Sequence, residues 1–144
     1  MFTIKYEIIS EQFDDINNMT DEEIQYYFLL GNVCLHSANA SIEMEWEWIP
    51  LLDFAHCLQH IVNDLKGDNA TKQYFEFTES ADTLEFSRQG EQLKIVASFS
   101  SIIIETTFVD FEKALHDFHT SISEHIRRNV PNEVPIVLQK YLSF

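Results

Sequence analysis

Apolar and polar residues alternate along Phe2-Thr3-Ile4-Lys5-Tyr6-Glu7-Ile8, the period of a strand with one buried face. The run Asp14-Asp15-Ile16-Asn17-Asn18 breaks that period. Thr20-Asp21-Glu22-Glu23 has the form of a capping box, Thr20 at the N-cap and Glu23 at N3, and predicts a short helix. Tyr26-Tyr27-Phe28-Leu29-Leu30 follows at once and reads as strand. Asn32-Val33-Cys34-Leu35-His36 and Ser41 to Trp48 read as two more strands, joined by a turn near Ser37-Ala38-Asn39-Ala40. In the second of these, Ile42, Met44, Trp46 and Trp48 share one face, and Glu43, Glu45 and Glu47 share the other. The expectation is aromatics packed inward and three carboxylates in a row outward.

The period then changes. Pro50 suits the first turn of a helix, and Leu51, Phe54, Ala55, Leu58, Ile61, Val62 and Leu65 recur at helical spacing on one side. Asp53, His56, His60 and Asp64 fall on the opposite, solvent side. Lys66-Gly67-Asp68-Asn69 ends the helix, with Gly67 as a glycine C-cap. Short runs over 73–78, 83–87, 92–99 and 102–107, divided by polar turns, predict a meander of antiparallel strands. Thr107 to Asp110 is a second, weaker capping box, with Asp in place of Glu. The long helix after it turns Phe111, Ala114, Leu115, Phe118, Ile122 and Ile126 inward. Arg127 and Arg128 at its end complement the helix dipole. Beyond Pro131, the segment Ile136 to Leu142 fits a short final helix better than a strand. Strands, helix, strands, helix define an α+β class. The predicted architecture is a twisted antiparallel sheet of about six or seven strands, with two main helices packed on one face.

Length and composition fit one domain spanning residues 1–144. A hydrophobic fraction of 45% with 12 Phe, 5 Tyr and 2 Trp can fill a core, and so little Gly and Pro leaves no long flexible linker. The N-terminal residues are too few and too polar for a signal peptide, and no run approaches the roughly 20 apolar residues of a membrane span. Two cysteines, Cys34 and Cys57, fit free thiols in a reducing cytoplasm better than a disulfide framework.

Charge changes the picture most. The net formal charge is -15, and residues 1–65 hold twelve acids against one base, Lys5. From Tyr6 to Leu65 there is no Lys or Arg at all. Such a chain repels phosphate backbones and anionic membrane surfaces, which argues against nucleic acid or a membrane as a direct partner. A face kept acidic only for solubility usually mixes both signs. A half-chain purged of positive charge instead points to a cationic partner. The candidate surface is Asp14, Asp15, Glu22, Glu23, Glu43, Glu45 and Glu47, beside Asp21, with Tyr26 and Trp48 as aromatic anchors.

Other chemistry is thin. His56 and His60 lie at i and i+4, where both imidazoles reach one metal, and Asp53 or Asp64 could add a ligand. The pair lacks the intervening Glu of HExxH, and metal sites usually need three or four ligands. The reading adopted is a solvated helix face, with no metal and no cofactor. His116 and His119 share the outer flank of the long helix at the spacing of an acid–base pair, but no nucleophile or oxyanion cradle accompanies them. His125 reads as a packed histidine and His36 as a strand-end residue. Cys57 adjoins His56 in sequence, which does not set an imidazole against the thiol. Cys34 reads as a small core hydrophobe. No phosphate loop, serine elbow or EF-hand loop is present.

The segments IKYEIISEQFDD, IPLLDFAHCLQHIV and FEFTESADTLEF resemble small bacterial immunity proteins encoded beside polymorphic or contact-dependent growth inhibition toxins. That resemblance spans most of the chain. It implies a non-enzymatic protein that binds and neutralises a cognate toxin domain, and it assigns no site residues. An acidic surface suits a cationic toxin, with a nuclease as the expected kind. Two other functions stay open on the residues: a small metal-dependent or acid–base enzyme using the paired histidines, and an adaptor for another basic protein.

Overall fold

In the computed structural model, which describes residues 1–67, 71–130 and 133–142, the strand periods resolve into two antiparallel sheets. The first contains β1 (Phe2–Glu11), β2 (Leu29–Ser37) and β3 (Ser41–Pro50), paired in chain order. The second contains β4 (Lys72–Glu76), β5 (Thr83–Gln89), β6 (Gln92–Ala97) and β7 (Ile103–Thr107), also in chain order. A 3-10 helix (Phe13–Asn18) and α1 (Asp21–Tyr27) link β1 to β2. Helix α2 (Leu51–Lys66) joins the sheets, α3 (Phe108–Asn129) follows β7, and α4 (Ile136–Leu142) comes last.

The α+β class holds, but the single sheet does not. Alternation says which face of a strand is buried, not which edges pair. Here α2 carries the chain from β3 to β4, and no ladder joins those two strands among the described residues. The helices also do not cover one face of one sheet. Helix α2 contacts β2 and β3 of the first sheet and β4 of the second, while α3 contacts β1 and both β6 and β7. Each long helix therefore packs on both sheets, and their shared apolar surface is the core.

Phe54 of α2 is fully buried, with its ring 5.0 Å from Phe75, 6.4 Å from Phe77 and 6.1 Å from Phe118 of α3. Phe77 continues this aromatic chain to Trp46 at 5.0 Å, and Trp46 reaches Phe99 at 4.8 Å. At the other end, Phe111 of α3 lies between Phe2 of β1 at 5.7 Å and Phe86 of β5 at 5.5 Å.

Local signals are realised closely. The Thr20 hydroxyl accepts from the Glu23 N–H at 3.1 Å, and Glu23 Oε1 accepts from the Thr20 N–H at 3.0 Å, so the capping box is complete. It holds α1 through Tyr27, so Tyr26 and Tyr27 are helical and the strand begins at Leu29. The two strands expected over 26–36 are one. Thr107 caps α3 by accepting from the Asp110 N–H at 3.1 Å. Gly67 is the C-cap of α2, but in an extended conformation with φ -77 and ψ 161 rather than a left-handed one. Asp68 and Asn69 of that turn, and Pro131, lie outside the described residues.

The first sheet is irregular around Gly31. Register shifts occur between Ile8 and Ser10 on one side and between Gly31 and Val33 on the other. On β3 the shift places Glu45 to Trp48 opposite Asn32 alone, since Met44 pairs with Val33 and Ile49 with Gly31. This bulge reverses parity, so Met44 and Ile49 are both buried although an odd step of five positions would put them on opposite faces of a regular strand.

Candidate functional site

The outward face of the first sheet is built by register. Ile4, Leu35 and Ile42 form one cross-strand row and are buried. The next row, Lys5, Cys34 and Glu43, therefore points to the opposite face, followed by Glu7 beside Asn32. Asn32 donates from Nδ2 to Glu7 Oε1 at 2.9 Å and accepts at Oδ1 from the Glu47 N–H at 2.7 Å. One asparagine thus ties all three strands together beneath the carboxylates. Glu47 has φ 69, the left-handed region, where a non-glycine residue carries about 1–3 kcal/mol of strain. Its bond to Asn32 fixes that conformation and closes the bulge.

Glu7, Glu43, Glu45 and Glu47 are all exposed, and among the described residues none has an ion-pair partner. Several bases of the second half are committed elsewhere: Lys66 to Glu112 at 2.9 Å, Lys72 to Glu85 at 3.0 Å and Arg88 to Glu91 at 3.7 Å. Lys140 reaches Asp21 of α1 at 2.7 Å, away from this face. Folding thus leaves Glu7, Glu43, Glu45 and Glu47 without an ion pair among the described residues, with Lys5 the base that shares their face. Cys34 sits within it, half-buried on the acidic face rather than in the core as expected. Its thiol is pushed up by burial first and then by the Glu43 charge, with Lys5 opposing.

No family model, curated protein or solved structure matches this chain.

The remaining expected surface residues separate from this face. Asp14 and Asp15 are exposed on the 3-10 helix, and Glu22 is exposed on α1. Glu23 is engaged as the N3 member of the capping box. The hydrogen bonds and register that unite Glu7, Glu43, Glu45 and Glu47 do not extend to these four. Tyr26 is half-buried, with its phenol pushed up by burial and then by Asp53, so it faces α2. Trp48 is half-buried at the edge of the bulge and stacks on Trp46 at 5.5 Å and 16°. The tryptophans are thus neither fully inward nor free. Glu7, Lys5 and Asn32 were missed by the sequence reading. Alternation in β1 placed Lys5 and Glu7 on its polar side, but only register sets Glu7 beside Asn32.

The outer side of α2 is the second departure. Asp53, expected in solvent, is 4% exposed. Gln25 of α1 donates to Asp53 Oδ1 at 2.7 Å, and the Cys57 thiol donates to the same oxygen at 3.6 Å. Helix α1 covers the start of this side and Tyr141 of α4 packs on His56, while His60 and Asp64 stay exposed. Burial, then the Asp53 charge and hydrogen bond, push the Cys57 thiol up to about 12. Cys57 is therefore protonated at neutral pH and is not a nucleophile. Folded protein treated with iodoacetamide at pH 7 is expected to leave Cys57 unmodified by mass spectrometry, with full labelling in urea. Rapid labelling of the folded chain would mean that Asp53 does not hold the thiol.

The histidines also divide. His116 is exposed, whereas His119 is 6% exposed and donates from Nε2 to the Tyr141 carbonyl at 2.6 Å. The expected outer-flank pair is thus split between surface and core, because α4 docks over His119. Burial lowers the His119 pKa, and the hydrogen bond to the Tyr141 carbonyl opposes that shift. His125 packs on Phe13 with ring centroids 5.9 Å apart and meets Glu11 Oε2 at 2.6 Å. His36 pairs its Nδ1 with the Ser41 hydroxyl at 2.6 Å near the end of β2. Both cysteines are free. No described helix is long and apolar enough to cross a membrane.

Proposed function

We propose that the protein is an immunity protein that binds a cationic toxin domain, a nuclease in the simplest case, and neutralises it stoichiometrically. The observation that carries this reading is the unpaired carboxylate face of the first sheet. Four glutamates stand there without a basic neighbour in ion-pair range, held by a strained residue and a buttressing asparagine. Strain retained at a surface marks a position where function outweighs local stability. A nuclease must present positive charge to its phosphate substrate, and a rigid sheet face of opposite sign can cover it. Long-range attraction raises the capture rate, and like-charged partners are rejected. The half-buried tryptophan pair beside the bulge supplies apolar area at the rim.

The revised surface is Glu7, Glu43, Glu45 and Glu47, with Trp48 at its edge and Asp14, Asp15, Glu22 and Glu23 outside its centre. Replacing Glu43, Glu45 and Glu47 together with lysine is expected to leave the circular dichroism spectrum and melting temperature near those of the native chain. It is expected to weaken binding to the toxin domain encoded immediately upstream by about 3 kcal/mol, roughly a hundredfold in Kd. Calorimetry at low salt measures this. Undiminished affinity removes the face from the interface, and the lack of any toxin gene beside this one removes the immunity reading. An adaptor for another basic protein would use the same surface and differs only in that neighbourhood.

A further inference from the structure

The second feature with directed chemistry lies on α2. His56 and His60 bring their Nε2 atoms to 3.2 Å, with ring centroids 4.7 Å apart and planes at 82°. Two imidazole nitrogens bound to one tetrahedral zinc at about 2.0–2.1 Å are themselves about 3.3 Å apart. A right-angled arrangement at the same bond length brings them to about 2.9 Å. The observed spacing falls between these, so both rings can enter one coordination sphere without movement of the helix. Among the described residues no third His, Cys, Asp or Glu completes a three-ligand set.

We propose that His56 and His60 form a bidentate site for an imidazole-preferring divalent cation, Cu2+, Ni2+ or Zn2+, whose other positions are filled by water. The surroundings suit the task. The His56 ring is braced by Tyr141 of α4 at 5.4 Å and 68°. His60 is exposed and borders a cleft of about 340 Å³ whose wall includes Asp64 and Glu76. Neutral imidazole is the ligand form. Burial and then His60 lower the His56 pKa, assisted by Lys140 and opposed by Asp53 and Asp21. Chelation replaces the ring-to-ring hydrogen bond: the donor ring's N–H shifts from Nε2 to Nδ1, where the acceptor ring already carries its own. It also clamps one turn of α2, the turn on which α4 rests.

The test is calorimetric titration of the full chain with copper, nickel or zinc chloride in a non-chelating buffer. One equivalent is expected, tightest for Cu2+ in keeping with the Irving–Williams order. His60→Ala should weaken binding at least tenfold, and the His56→Ala/His60→Ala double variant should abolish it. His116→Ala should leave it unchanged. Absence of saturable binding, or binding that survives the double variant, overturns the proposal. A second measurement does not depend on any variant folding. Substoichiometric Cu2+ should broaden the ring proton resonances of His56, His60 and Tyr141 in the native chain before those of His36 or His116. Broadening led by His36 or His116 overturns it equally.

Discussion

Gly31→Ala is expected to be among the most damaging single substitutions in the chain. A Cβ built on Gly31 collides with the carbonyl oxygen of Glu7, with the Glu7 carbonyl carbon at 3.0 Å and Ile8 Cα at 3.2 Å. All three are backbone atoms of β1, so no side chain can swing aside. Relief requires β1 to move away from β2 at the place where both neighbouring strands already bulge. Overpacking of this kind costs about 3 kcal/mol or more, a large share of the roughly 5–15 kcal/mol that stabilises a typical domain. Urea unfolding followed by circular dichroism should show that loss in the midpoint. A loss below about 1 kcal/mol, within the range of mild packing changes, would show that β1 yields freely. Gly90 is the control. It has φ +62 but nothing within 4 Å of a built Cβ, so Gly90→Ala should cost only the local strain of about 1–2 kcal/mol. Gly31→Ala should also weaken toxin binding under the proposed function, because Glu7 moves with β1 and is drawn away from Asn32 of β2.

What the sequence made legible was local. The capping box at Thr20, the Pro50 start of α2, the inward face of α3 and the hairpin turns each depend on residues within a few positions, and each is where periodicity put it. What escaped depends on pairing between distant segments. Nothing near Glu47 announces a left-handed residue, because the partner that holds it, Asn32, is fifteen residues away in the neighbouring strand. Asp53 looked solvent-facing because α2 is amphipathic by itself. Its burial comes from Gln25 of α1, and α1 is a helix too short to signal a packing role. His119 was misplaced for the same reason, since the carbonyl it reaches belongs to α4 at Tyr141. Alternation put Glu43, Glu45 and Glu47 on one side of β3 and all three are exposed, but the left-handed Glu47 is held by Asn32 rather than by alternation. The wider membership of the acidic surface was not legible, because charge along a chain does not reveal which carboxylates share a face. Asp14, Asp15, Glu22 and Glu23 belong to the β1–β2 connection, whereas Glu7 lies opposite Asn32 on the sheet.

Phe54→Ala is expected to destabilise the protein by about 3–5 kcal/mol, the range for deleting a buried aromatic ring. Phe54 has no exposed surface. Its ring meets Phe118 of α3 on one side and Phe75 of β4 on another, and Phe77 passes the contact to Trp46 of β3. One side chain thus joins both long helices to both sheets. The consequence reaches beyond the size of the loss. If the two sheets depend on this shared core, the variant should unfold in one transition, with tryptophan fluorescence from Trp46 and Trp48 giving the same midpoint as far-ultraviolet circular dichroism. Two separated midpoints would show instead that the first sheet folds without the second. Binding gives the complementary contrast. Phe54 lies away from the carboxylate face, so below its lowered melting temperature the variant should hold a toxin domain with near-native affinity. The triple glutamate reversal should do the opposite, retaining stability and losing affinity. Those two outcomes together distinguish a surface that acts through its charge from a fold that merely displays it.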